Sequence, residues 1–243
     1  MKIIKLSAIA STNSFLKEMA QNNELADFTV VTVDEQTRGK GQHGNSWFSS
    51  PKKSLTFSVF VRFTNLQITN NVLLNFAVSL AIFECLQKLN TPKVSIKWPN
   101  DIMSANKKLC GVLIEPNLQR GFIKSAIIGI GLNVNETSFP LHLPNATSLQ
   151  IIHHKEFYLD ELLNTLLLKL ESKIKILREN KFEVLERNYF NNLYKKDVVA
   201  TFLDQEKKPF VGIIKGVSKN GKLQILLENE VLHEYGIKEI TFI

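Results

Sequence analysis

Between Val94 and Asn135 three strand-like segments follow one another with only turns between them, and this run constrains the fold more than any other. Val94–Lys97 ends at Trp98-Pro99-Asn100-Asp101, Asn106-Lys107 turns the chain into a strand over 108–115, and 123–135 completes a hairpin-like pairing. Ahead of this run the sequence predicts strands over 2–6, 29–34 and 55–63 and a long apolar helix over 71–89. A further helix starts near Ser11 or Asn13, with Phe15, Leu16, Met19 and Ala20 on one face. Leu55, Phe57, Val59, Val61 and Phe63 share one side of their strand, which predicts a strand half exposed or lining a cavity. The expectation is an α+β unit, a mixed β-sheet with helices on one side.

After Pro144 the pattern changes. Leu159, Leu162, Leu163, Leu166, Leu170, Ile174 and Leu177 form a helical stripe within 155–179, suited to core packing, and a second helix covers 182–194. From Asp197 short strands alternate with turns at 204–208, Asn220-Gly221 and 228–230. Asn-Gly between alternating segments signals a hairpin, so this end reads as a small SH3-like β-barrel. Two domains are expected, 1–195 and 196–243, joined by a short linker near Lys195.

With 44% hydrophobic and 22% charged residues, the 243-residue chain has the composition of an ordinary globular protein with one sizeable core and a small annex. Its start lacks a secretory h-region and the apolar run near 77–83 is short for a bilayer, so a cytoplasmic location without membrane contact is expected. Cys85 and Cys110, with no CxxC or His/Cys cluster beside them, read as reduced core residues. The net charge of +7 comes from dispersed lysines and lysine pairs, and only ten residues precede Ser11, so no nucleic-acid partner is expected.

Polar signals gather at strand ends. Arg38-Gly39-Lys40-Gly41-Gln42-His43-Gly44-Asn45-Ser46-Trp47 packs glycines, cations and a tryptophan into one loop. Glycines let backbone N–H groups converge on an anion, cations add full charge, and the indole offers a flat face to a ring. In Lys97-Trp98-Pro99-Asn100-Asp101 the proline shapes a turn that presents lysine, asparagine and aspartate at one rim. Lys108 stands at the entrance of an apolar strand that ends at Glu115, and Gly129 and Gly131 alternate with apolar residues before Asn133. Taken singly, each segment also fits a structural role: a hairpin, an Asx-capped turn, a solvated strand end, a bulge.

In this order, with Ser11-Thr12-Asn13 ahead of them, the segments closely resemble the biotin protein ligases, and the resemblance covers essentially the whole chain. It implies the class II synthetase-like catalytic fold with a C-terminal SH3-like domain, and the monofunctional type without an N-terminal winged helix. It also implies the chemistry. ATP and Mg²⁺ would convert biotin to biotinyl-5′-AMP and pyrophosphate, and a lysine of a biotin carboxyl carrier protein would then take the biotin, in a monomer or homodimer. By the same resemblance Lys108 meets the biotin carboxylate and the adenylate ester, Lys40 the phosphate, Lys97 the triphosphate or the developing charge, and Asp101 the proton of the acceptor lysine. Biotin falls to Ser11, Thr12, Asn13, Gln36, Gly39, Lys40, Gly41, Gln42, Lys108 and Gly111, with Gly129 and Gly131 leaving room for its bicycle. The nucleotide falls to Lys40, Gln42, Trp47 (stacked on adenine), Lys97, Asn100 and Asn133, and no metal ligands are assigned.

A lipoate protein ligase shares the adenylate logic, but Lys-Trp-Pro-Asn-Asp beside Gly-Lys-Gly-Gln favours biotin. A module that only captures biotinyl-AMP is opposed by the intact Lys108 and Asp101. The loop departs from the family's arginine-rich form, with Lys40, Gln42, His43 and Asn45 where arginines are usual, and lysine or glutamine cannot copy an arginine fork. His43 is given no catalytic role. Gln42→Arg is therefore expected to slow release of the adenylate; an unchanged or faster release rate in a chase experiment would refute this.

Overall fold

The apolar alternations build a sheet whose middle is covered on both sides. The structure, a computed structural model, describes residues 1–243 apart from the side chain of His43. The strands are β1 (Lys2–Ile9), β2 (Thr29–Gln36), β3 (Ser54–Gln67), β4 (Val94–Lys97), β5 (Asp101–Ser104), β6 (Lys107–Gln119) and β7 (Phe122–Asn133). They form one seven-stranded sheet in the order β1-β2-β3-β7-β6-β5-β4. The β1–β2 pair is parallel, bridged by α1 (Thr12–Asn22), and the other pairs are antiparallel, so the sheet is mixed as expected.

Helices lie on both faces rather than on one. α2 (Asn71–Lys88), α4 (Leu159–Arg178) and α5 (Phe182–Asn191) cover one face, where Leu55, Phe57, Val59, Val112, Ile128 and Ile130 join the main core. α1 covers the other, packing Leu16 with Val31, Phe60 and Ile127. Strand side chains alternate between faces, so Val59/Phe60 and Ile127/Ile128 split between the two cores. The same cover corrects the reading of β3 as half exposed: Thr56, Ser58 and Phe60, on its second face, are buried as well.

α2 is apolar all round, and twelve of its eighteen residues are buried. By length and composition Ile68–Lys88 could cross a membrane, but here it is the core helix, enclosed by the sheet, α4 and α5. It lacks a side-chain N-cap, so its stability comes from burial, about 1.5–3 kcal/mol for each large apolar side chain such as Leu74 or Ile82. It stops where Asn90 turns left-handed (φ 56°) and Thr91 N–H reaches back to Leu86 O, just before Pro92. α4 stops in the same way at Asn180 (φ 55°), with Lys181 N–H bonded to Ile176 O. It starts at Leu159 rather than Lys155, because the Asn135 amide clamps both backbone groups of Phe157 and holds that segment out of the helix. β5 and the short α3 (Leu149–His153) were not anticipated; each carries too few apolar residues to show a period.

The last residues form a second sheet of β8 (Val199–Leu203), β9 (Pro209–Val217), β10 (Leu223–Leu227), β11 (Leu232–Tyr235) and β12 (Thr241–Phe242). It is antiparallel, in the order β11-β10-β9-β8-β12, and the three expected turns connect β8 to β11. Gly221 (φ 79°) closes the β9–β10 turn. Phe202, Ile214, Leu223 and Ile225 belong to the same hydrophobic cluster as α2 and α5, so the two sheets share one core.

Cys85 and Cys110 are buried and unpaired as expected; burial pushes the Cys85 thiol up to about 11 and raises that of Cys110 as well. Tyr189 stacks on Phe76 at 3.8 Å between ring centroids, and its wholly buried hydroxyl meets no partner among the described residues. Deleting an unpaired polar group removes its desolvation cost, so Tyr189→Phe should stabilise the fold by about 1 kcal/mol. A lower urea midpoint than wild type would show that the hydroxyl is satisfied in solution.

Candidate active site

On the α1 side of the sheet, helix and strands stay packed as far as Gly129, where Asn13 of α1 meets the strand, and part company beyond it. Gly111 on β6 and Gly131 on β7 stand opposite each other in register, so two adjacent strands present bare backbone there. Above this floor lies a cavity of ≈ 230 Å³, lined by the start of α1, the loop after β2, the β4–β5 turn, β6, and Ile237 and Lys238 of the β11–β12 turn.

Lys108 reaches this cavity through a local irregularity. β5 pairs Ile102 with Cys110 but Met103 with Lys108, so β6 spends one extra residue, a β-bulge. Leu109 and Cys110 both enter the main core, although neighbours on a regular strand would diverge. Strict alternation would send Lys108 to the same side as Cys110; the bulge turns it toward Gly111 instead, where a Cβ would meet Lys108 Nζ at 3.4 Å. Lys108 Nζ lies 2.7 Å from Asp101 Oδ1, an ion pair whose angles fall outside those of a hydrogen bond. Asp101 stands across the strands from Gly111, so the missing side chain also leaves space for this pair. Its partial exposure keeps the pair weak as a stabiliser, which leaves the ammonium available for an anion.

The loop after β2 folds back on itself through Trp47 N–H to Gly39 O (2.9 Å) and Gly41 N–H to Asn45 O (2.7 Å). Gly39 sits under this closure; a Cβ there would come 2.5 Å from Trp47 O. Lys40 Nζ donates to Ser14 Oγ (2.8 Å), placing a second cation at the cavity. The Trp47 indole rests on the glycine floor, where a Cβ at Gly131 would come 2.3 Å from Cε2, and Lys108 Nζ stands 5.7 Å from its ring centre. The indole N–H is buried without a partner among the described residues. His43, in the same loop, lies outside the described side chains.

Most of the sequence-derived residues come together here: Ser11, Thr12, Gln36, Lys40, Gly41, Gln42, Trp47, Asn100, Asp101, Lys108 and Gly111 all border the cavity. Others need correction. Gly129 and Gly131 border the cavity too, but the space over each is already taken in the structure, since Asn13 Oδ1 would lie 2.2 Å from a Cβ at Gly129 and the Trp47 ring rests over Gly131. Asn13 borders the cavity, but its amide is used within the fold, by Glu115, Leu113 O and Ser58. Gly39 lies behind the loop rather than on the cavity wall.

Lys97 does not border the cavity; its ammonium stands 4.7 Å from the Phe242 ring centre, and burial holds its pKa below the ordinary lysine value, with Asp101 opposing. Asn133 does not border it either, its amide bound to Thr147 O at 2.9 Å. The Asn100 amide braces the turn against Val112 O at 2.6 Å, so it is structural as well as lining. Ser58, Ile237 and Lys238 carried no signal in the sequence. Among the described residues no group of three or more His, Cys, Asp or Glu side chains could hold a metal.

Residues 6–133 match the model of the biotin/lipoate A/B protein ligase family. The chain is 33% identical over 150 residues to the bifunctional ligase/repressor BirA of Bacillus spizizenii, covering 60% of this chain and 46% of that protein. It is 31% identical over 142 residues to the biotin–[acetyl-CoA-carboxylase] ligase of Mycobacterium tuberculosis, covering 57% and 51%. The matched part is thus about half the length of these relatives. The solved biotin protein ligase of Aquifex aeolicus in complex with biotin and ATP has a TM-score of 0.80 and 28% identity, over 99% of this chain and 97% of that one.

Gly131→Ala should push the Trp47 ring off its floor at a cost of about 1–3 kcal/mol. Tryptophan emission should shift to the red, since Trp98 stays buried; an unmoved spectrum would place Trp47 elsewhere.

Proposed function

Because the chain belongs to the biotin/lipoate A/B protein ligase family, we propose that it activates biotin with ATP and transfers it to a lysine of a biotin carboxyl carrier protein. The observation that carries this reading is the bulged Lys108, turned to the glycine floor beside Asp101. In the first step a biotin carboxylate oxygen attacks the α-phosphorus of ATP, the bond to the bridging oxygen breaks, and pyrophosphate leaves. Both reactants are anions, so cations must lower their repulsion. Lys108 borders the cavity from the sheet and Lys40 from the loop after β2, with Lys238 also at its rim. In the second step the neutral amine of the acceptor lysine attacks the acyl carbon, AMP leaves, and the amine loses a proton. In this reading Asp101, the one carboxylate bordering the cavity among the described residues, takes it.

Mg²⁺ fits this site as an ion that arrives with the triphosphate, since a single carboxylate is the donor set of a metal shared with phosphate rather than of a protein cage. When bound it would neutralise phosphate charge. In this proposal 1–195 carries the chemistry and 196–243 is an SH3-like domain. What supports the second part is the five-stranded antiparallel sheet of short strands, whose β11–β12 turn brings Ile237 and Lys238 to the cavity rim.

Labelled biotin, ATP and Mg²⁺ should label a carrier domain with wild-type protein, and lipoate should not. Lys108→Ala should lose on the order of 100-fold in rate, as expected for a group that stabilises developing charge. Labelling by lipoate alone, or none by either acid, would overturn the proposal.

A further inference from the structure

A chain of buried and half-buried hydrogen bonds runs beside the cavity, from Glu115 on β6 to Thr12 at the start of α1, and its direction can be deduced. One Glu115 carboxylate oxygen accepts from Asn13 Nδ2 at 2.8 Å, and the other lies 3.5 Å from Lys17 Nζ. A carboxylate only accepts, so it holds the Asn13 amide with its nitrogen toward β6, where Leu113 O also takes an N–H at 3.3 Å. The oxygen end of that amide then lies 2.6 Å from Ser58 Oγ. Ser58 is wholly buried on β3 and has one hydroxyl hydrogen, which Asn13 Oδ1 claims. Gly129 lets this oxygen sit where it does, 2.2 Å from the place a Cβ would take.

Ser58 Oγ also lies 2.7 Å from Thr12 Oγ1. With its hydrogen committed, Ser58 can only accept there, so the Thr12 hydroxyl points its hydrogen at Ser58. The other acceptor within reach, Gln36 Oε1, is farther at 3.1 Å and already takes the Thr12 backbone N–H at 2.9 Å. Sending the hydrogen to Gln36 would leave two oxygens facing each other across 2.7 Å with no hydrogen between them. Thr12 Oγ1 is thus left with lone pairs for the cavity, and the Gln36 amide, held by its oxygen, is left with the two hydrogens of Nε2.

We infer that Glu115, Asn13 and Ser58 are positioning residues that make Thr12 an acceptor and Gln36 a donor, and so select a ligand ring carrying an N–H beside a carbonyl. The inference rests on the biotin reading above and deepens it: a cyclic urea has both groups on adjacent atoms, and a dithiolane ring has neither. Selection follows because a mismatched ring would leave buried polar groups unpaired.

The test is calorimetric binding of biotin and of its two cyclic carbamates, in which one or the other ureido N–H is replaced by oxygen without added bulk. Wild type should bind at least one carbamate weaker than biotin by on the order of tenfold or more. Ser58→Ala frees the Thr12 hydrogen and Glu115→Gln frees the Asn13 amide to turn, so each should bring the ratio to within about threefold. Glu115→Gln keeps the shape of the side chain and carries the test if Ser58→Ala does not fold. A ratio unchanged in both variants, or a wild type indifferent to both carbamates, overturns the relay while biotin binding stands. Absence of any biotin binding by wild type would overturn the ligase reading and the relay with it.

Discussion

Bare backbone at Gly111 and Gly131 is the constraint on which the candidate site depends. A sheet buried on both faces normally offers no place for a ligand, because side chains fill the space over every strand. Here two glycines opposite each other in register remove that cover over one patch, on the side where α1 begins. The clearance serves three groups at once: the Trp47 indole lies on it, Lys108 passes over it, and Asp101 reaches Lys108 across it. The third glycine, Gly129, does a different job, seating the Asn13 amide beneath the cavity wall.

Charge at the site is arranged by backbone as much as by side chains. Lys108 faces the cavity because β6 bulges, and its own backbone is held from outside the sheet by Asn145 O and Thr147 N–H. Lys40 is held by Ser14 at the first turn of α1. Lys97, one strand away, shows the contrast: drawn under Phe242 and partly desolvated, it packs between the two sheets instead of facing the cavity.

That packing is one of several ties between the sheets. Trp98, buried at the β4–β5 turn, donates its indole N–H to Gly221 O in the β9–β10 turn at 2.9 Å. The Asn-Gly turn that closes a hairpin locally is thus also a docking point, set against the same turn that presents Asn100 and Asp101 to the cavity. Through these ties and the shared core, Ile237 and Lys238 are carried to the cavity rim, while Glu239 stays within its own loop, accepting from Gly236 N–H.

The sequence by itself determined where strands and long helices lie, because apolar periodicity follows from burial and is local: β2, β3, β6 and β7, α2 and α4 all appear within a few residues of where their patterns place them. It also determined the ordered motifs that gather Ser11, Thr12, Gln36, Lys40, Trp47, Asp101 and Lys108 round one cavity. Tertiary structure decided what those residues face. Which side of the sheet α1 covers, where β6 bulges, that Trp47 fills the room above Gly131, and that Lys97 and Asn133 turn to partners elsewhere all depend on atoms far apart in the chain. Ser58 is the plainest case. Within an apolar strand a lone serine carries no pattern, and its meaning arises only when folding sets its hydroxyl between Thr12 and Asn13, forty-five and more residues away.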